Sequence, residues 1–261
     1  MKRKALLFTT VFTSVVLMVL RVIQQLIMID PETGFWFGGY DAAGNTLTGL
    51  MLAAVLLMIL LSRTTASGRE VRLPERSRAL AVFAALLGLV MFIDGLSALF
   101  DGGFMSVIYT FSAVCGAAAL CWWALSLLGI CRFKPQAMLA CSLFGVVSLA
   151  ADIVDFVGQV TICQSLFDIL SSCALTLFLV SAAKYAYCYS GDKTVGRSLM
   201  CWSSLAAVMC GLPLMTRILT TVLGGTYSHA FTFNEATKLF AAMCAFAVVA
   251  VMKTATIKKP Y

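Results

Sequence analysis

The sequence predicts an all-α fold, a polytopic integral membrane bundle of about eight transmembrane helices with both termini cytoplasmic, and three observations predict it. Of the 261 residues, 61% are hydrophobic and only 12% charged, against roughly a quarter charged in ordinary soluble domains. The apolar residues fall in repeated runs of about 20, the length that crosses a hydrocarbon core. Lysine and arginine gather in alternate connections between those runs, the partition that membrane insertion produces. No soluble globule hides so much apolar surface, and the mean hydropathy of +0.95 agrees. The whole chain, 1–261, is expected to be a single transmembrane domain.

The first run follows Lys2, Arg3 and Lys4 and resembles the basic and apolar regions of a secretory signal. No small-x-small cleavage site follows. The run continues through Arg21, Gln24 and Gln25 to Met28, long enough to remain as an anchor, so helix one is placed over about 5–28. Helix two, about 44–62, has polar ends, and every later helix would reverse if it did not span. Helices three to six follow over about 79–100, 105–131, 137–159 and 165–184. Helix seven, about 199–223, contains Gly211 and Pro213, which interrupt the hydrogen-bond ladder one turn before Arg217. Helix eight closes the series over about 236–252.

Sixteen of the nineteen basic residues lie in the N-terminal tail, in 63–78, at Arg132 and Lys134, at Lys184, Lys193 and Arg197, and at Lys253, Lys258 and Lys259. The other connections hold essentially none, so an even number of helices with both ends inside satisfies the positive-inside rule. Phe35, Trp36, Phe37 and Tyr40 then flank the outer end of the first pair, while Trp122 and Trp123 approach the inner interface. Such rings favour the headgroup level.

The longest connections, near 29–43 and 63–78, are far below the roughly 50 residues of a domain, so no attached kinase, ATPase or DNA-binding module is expected. A Gly191-Asp192-Lys193-Thr194 string echoes the end of a phosphate loop but lacks the earlier glycine and the preceding strand. The loop from Asp30 through Pro31, Glu32, Thr33 and Gly34 to Phe35 reads as an interfacial turn anchored by its aromatics, with a lid or partner surface as the other reading. Leu86, Gly88 and Val90 before Asp94 recur as Leu143, Gly145 and Val147 before Asp152, with a one-residue offset. Chance between apolar helices explains that match better than duplication.

Seven of the ten cysteines, Cys115, Cys121, Cys141, Cys173, Cys201, Cys210 and Cys244, lie within apolar runs, where they pack as small apolar residues. Cys131 and Cys188 fall near the inner surface and Cys163 near an outer turn. No CxxC occurs, and neither metal nor redox use nor any cofactor is expected. With His229 the only histidine, no imidazole pair can hold a metal. Paired aspartates in adjacent spans resemble those of aspartyl intramembrane proteases, but no Gly-x-Gly-Asp string occurs, and Tyr40-Asp41 is expected in a loop. No catalytic constellation is expected.

Charges inside a span cost a few kcal/mol or more at the bilayer centre, so they face protein or water. Arg21, Asp94, Asp152, Asp155 and Arg217 fall in the outer halves of their helices, with Asp168 and Lys238 near the outer starts of theirs. Asp152 and Asp155 share a helix face, and the turn over 158–164 makes Asp168 their neighbour. Arg217 and Lys238 flank the outer loop with Gly224, Gly225, His229 and Glu235, and Arg21 has Gln24 one turn along. In one reading this set lines an outer-leaflet site for a small polar solute, a cation or zwitterion, in a permease-like or solute-binding protein. In the other the charges pair structurally within a non-transporting membrane subunit or sensor, whose basic 63–78 connection meets a membrane partner subunit or anionic lipid. The lipid bilayer of the cell (cytoplasmic) membrane is the common partner, and nucleic acid is not expected.

Overall fold

The computed structural model describes residues 2–30, 32–66, 69–158, 162–188, 194–226 and 231–256. Pro31, Gln159, Gly191, Asp192, Lys193, His229, Lys258 and Lys259, named above, lie outside the described residues. Among the described residues, eight helical segments are long and apolar enough to cross a membrane: Lys4–Met28, Asp41–Thr64, Arg78–Phe100, Phe104–Leu127, Pro135–Val157, Leu166–Cys188, Val195–Val222 and Phe233–Val251. The chain is a multi-pass helical membrane protein.

Helix α1 (Lys2–Ile23) widens into one π-helical turn over Gln24–Met28. The following turn is held by its own backbone. Asp30 N–H donates to the Phe35 carbonyl and Gly34 N–H to that of Asp30, while the Asp30 carboxylate accepts from Glu32 N–H and the Thr33 hydroxyl. Trp36 then lies so close over Gly44 that a Cβ there would come within 2.6 Å of its ring. Helix α2 (Asp41–Ala66) begins at Asp41, not in the loop expected for Tyr40-Asp41. A carboxylate in the first turn favours the positive end of the helix dipole and lengthens the helix.

Helix α3 (Arg78–Asp101) is capped by Ser77, whose hydroxyl accepts from Leu80 N–H at 3.3 Å. It turns through Gly102 and Gly103, both at positive φ, into α4 (Phe104–Leu127). That helix stops short of the expected 131 because Gly129 takes φ 79. Gly129 N–H then reaches the Ser126 carbonyl and Ile130 N–H that of Leu125, a Schellman closure. A 3-10 turn over Pro135–Ala137 leads into α5 (Met138–Gly158), and α6 (Ile162–Cys188) extends past both expected ends. The seventh span is two helices, α7 (Val195–Met209) and α8 (Leu212–Val222), with Gly211 and Pro213 at the break. Proline has no N–H to give the Met209 carbonyl. Helix α9 (Phe233–Val251) is the last.

One feature departs from the all-α expectation. Strands β1 (Arg69–Arg72) and β2 (Lys253–Thr256) pair antiparallel, Arg69 opposite Thr256 and Arg72 opposite Lys253. This short ribbon joins the α2–α3 connection to the segment after α9. Val71 is fully buried, its carbonyl lies against Gly196 at the start of α7 where any Cβ would collide, and Leu73 N–H donates to the Tyr185 hydroxyl at 2.9 Å.

Packing follows a closed order. Helix α3 lies on α4, α4 on α5, α5 on α6, α6 on α7, α7 on α9, and α9 back on α3. Spans three to eight thus form a ring, with α2 applied to α7, and α1 to α2 and α8. Small residues permit close approach at these seams, as membrane helices require. A Cβ on Gly95 would come within 2.6 Å of that of Ala113, and one on Gly145 within 3.1 Å of the Thr176 backbone. The Thr110 and Thr176 hydroxyls donate across the same seams to the Gly95 and Gly145 carbonyls, each at 2.7 Å.

Candidate functional site

At the end of the ring remote from the β-ribbon, α3, α4, α5, α6, α8 and the start of α9 surround a cavity of about 670 Å³. Asp94, Asp152 and Asp168 sit about 10 Å along their helices from the ends at Asp101, Gly158 and Ile162, at 1.5 Å per residue. Asp94, Asp152, Asp155, Asp168, Arg217 and Lys238, six of the eight residues singled out by sequence, line it. Their convergence follows from topology: alternate helices expose the same depth at one end, and ring closure brings α9 between α3 and the α5–α6 pair.

The two acid-base pairs are intimate. Lys238, 2% exposed, donates from Nζ to Asp152 Oδ2 at 2.7 Å and to the Asp168 carbonyl at 3.3 Å. Asp152 also accepts from the Ser172 hydroxyl and, at Oδ1, from Asn234 Nδ2 at 3.0 Å. Arg217 forms a two-pronged pair with Glu235, Nε to Oε2 at 2.8 Å and Nη2 to Oε1 at 2.6 Å. The planar fork suits a carboxylate, and Glu235 gains further from the first turn of α9.

Asp94 is held differently. It is 4% exposed, and its Oδ2 accepts from the Tyr109 hydroxyl at 2.7 Å and the Thr237 hydroxyl at 3.0 Å. Both donors are neutral. Asp168 lends its backbone carbonyl to Lys238, while Asp155 is exposed on the α5 wall. The remaining walls are largely apolar, with Tyr109 set edge-on to Phe144 and Phe231 edge-on to Phe233 at the rim.

Arg21 and Gln24 do not line the cavity. Arg21, 2% exposed, donates from Nη1 to Gln24 Oε1 at 3.0 Å, and its guanidinium lies 4.5 Å over the Phe167 ring. Gln24 Nε2 donates onward to the Gly44 carbonyl at 3.1 Å and the Thr48 hydroxyl at 3.0 Å. This relay joins α1 to α2 and α6, one residue along α6 from Asp168. Sequence reasoning did not assign Tyr109, Ser172, Asn234 and Thr237 to the site, and it placed Glu235 only in a neighbouring loop. The spacing of Asn234 and Glu235 to Lys238, one helical turn, was the available signal. The hydroxyls gave none, because a lone Tyr, Ser or Thr in an apolar run is unremarkable.

Among the described residues, no three His, Cys, Asp or Glu side chains converge to hold a metal ion. Fold and cavity together define a multi-pass helical membrane protein with an acid-rich chamber inside one end of its helix ring. No family model, curated protein or solved structure matches the chain.

Proposed function

We propose that the chain is a permease-like or solute-binding membrane protein whose cavity takes a small polar solute. In this reading both termini are cytoplasmic and the cavity opens in the outer leaflet of the cell membrane, as the distribution of basic residues favours. The observation that carries it is the cavity itself. A chamber of about 670 Å³ falls in the range of small-molecule sites, and five described carboxylates line it against two bases. Packing alone would be served by matched pairs and no chamber.

The test is the thermal stability of the detergent-purified protein across amino acids, amines, metal ions and vitamins, compared with Asp168→Asn. A solute that raises the wild-type midpoint, with the rise lost in the variant and the baseline kept, supports the reading. The absence of any solute-dependent shift removes it.

The Lys238–Asp152 and Arg217–Glu235 pairs favour a second reading. In it the charges serve to register helices in a non-transporting subunit or sensor. The exposed Arg63, Arg72, Arg76 and Arg78 then meet a partner subunit or anionic lipid. The solute screen separates the two: in the second reading stability lost on removing one member of a pair returns when both are removed, and no solute shifts the midpoint.

A further inference from the structure

Within the cavity the two signs of charge are not equally available. Both bases are engaged by carboxylates, Lys238 by Asp152 and Arg217 by Glu235, so neither stands ready for an anionic ligand. On the acidic side, Asp94 is more than nine-tenths buried and uses only Oδ2, for two neutral donors; Oδ1 accepts no hydrogen bond among the described residues. The Asp168 carboxylate likewise has no hydrogen bond or ion pair among them. Lys238, the base that acts on both, is already bound to Asp152, and a carboxylate withdrawn from water and so incompletely compensated favours a further positive group.

A metal ion is a poor match for that need. The carboxylates stand around the chamber without converging on one point, and the walls between them present Tyr109, Phe156, Phe231, Phe233, Met105 and Ile169. Aromatic faces and a thioether supply apolar contact and attraction for an organic cation, and no ligand for a hard ion.

Resting on the reading of the cavity as a solute site, we infer that its ligand is an amphipathic organic monocation, an ammonium on an alkyl or aromatic body, with Asp94 as the seat of the ammonium. Tyr109 and Thr237 fix the carboxylate so that Oδ1 is presented to the chamber. Asp168 adds attraction from the α6 side, and the apolar walls hold the body.

The test uses the detergent-purified full chain and titration calorimetry with 2-phenylethylammonium, benzyltrimethylammonium and hexylammonium. The comparators are 3-phenylpropionate, phenylalanine, and magnesium and calcium ions. The expected result is saturable binding of the ammonium probes, weakened about tenfold or more in Asp94→Asn, as loss of one charge-assisted contact implies. Asp168→Asn, which disturbs no described hydrogen bond, is expected to weaken the same probes to a lesser degree, and Glu75→Gln, in the α2–α3 connection ahead of α3, to leave them unchanged. Should Asp94→Asn fail to fold, the Asp168→Asn result decides. If phenylalanine, 3-phenylpropionate or a divalent ion binds and no ammonium probe does, the inference is overturned while the cavity keeps its role. If no probe or comparator binds, and no solute shifts thermal stability, both fall.

Discussion

Asp94 on α3 and Asp152 on α5 stand at similar depth in the chamber wall, yet their surroundings treat them in opposite ways. Asp152 is bound by Lys238, Asn234 and Ser172, so removing the base strands a carboxylate that three groups have drawn out of water. Lys238→Met is expected to destabilise the protein by about 3 kcal/mol or more, the usual consequence of breaking a buried pair from one side. The double variant with Asp152→Leu is expected to recover most of that loss; thermal unfolding in detergent measures both. For Asp94 the supporting donors are neutral, and Tyr109→Phe is expected to cost about 1.5–3 kcal/mol, the range for a hydrogen bond to a charged group. Circular-dichroism melts of that variant decide it. The sequence made six of the seven charged members of the cavity legible because each interrupts or borders an apolar run at an energetic penalty, whereas Glu235 read as part of a loop. Their hydroxyl and amide partners were not legible: Tyr109, Ser172 and Thr237 break no pattern, and only the packing of α4, α6 and α9 brings them to the carboxylates.

Among elements, the broken seventh span was readable from Gly211 and Pro213, because proline's missing N–H acts locally. Helix ends were read less well where capping outweighed hydropathy, as at Asp41 and Gly129. The β-ribbon had no local signature at all. Four-residue strands with Val71 as the single large apolar side chain of β1 give no alternation to detect, and the two strands lie far apart in the sequence. Its anchor is testable: Gly196→Ala places a methyl group against the Val71 carbonyl, and overpacking of that kind typically destabilises by about 1–3 kcal/mol. The expected outcome is faster proteolysis within the α2–α3 connection, read by mass spectrometry, with the α3–α4 hairpin intact.

For the molecule as a whole, the number of spans follows from composition, because about 20 apolar residues have few other uses. The order of helices around the ring does not, since it rests on contacts such as Gly95 with Ala113 and Gly145 with Thr176, which hydropathy does not register. Orientation belongs to this scale too. Single cysteines placed at Phe231, by the cavity, and at Glu75, by the ribbon, are expected to behave differently toward a membrane-impermeant thiol reagent on intact cells. The first should label above the wild-type background and the second only after lysis; the reverse pattern would invert the proposed topology.

The ribbon and the α3–α9 seam also set the order in which the molecule can be made. Strand β1 and α3 leave the ribosome early, but β2 and α9 emerge more than a hundred residues later, and until then the early pieces lack their partners. Asp94 waits for Thr237, Asp152 waits for Lys238, and the chamber lacks its α9 wall. The nascent chain must therefore hold four acidic residues of the cavity in the membrane, near the translocon or a chaperone, without Lys238. A chain stalled before Phe233 is expected to be an early substrate for membrane proteolysis, and a separately synthesised α9 with its strand is expected to protect it.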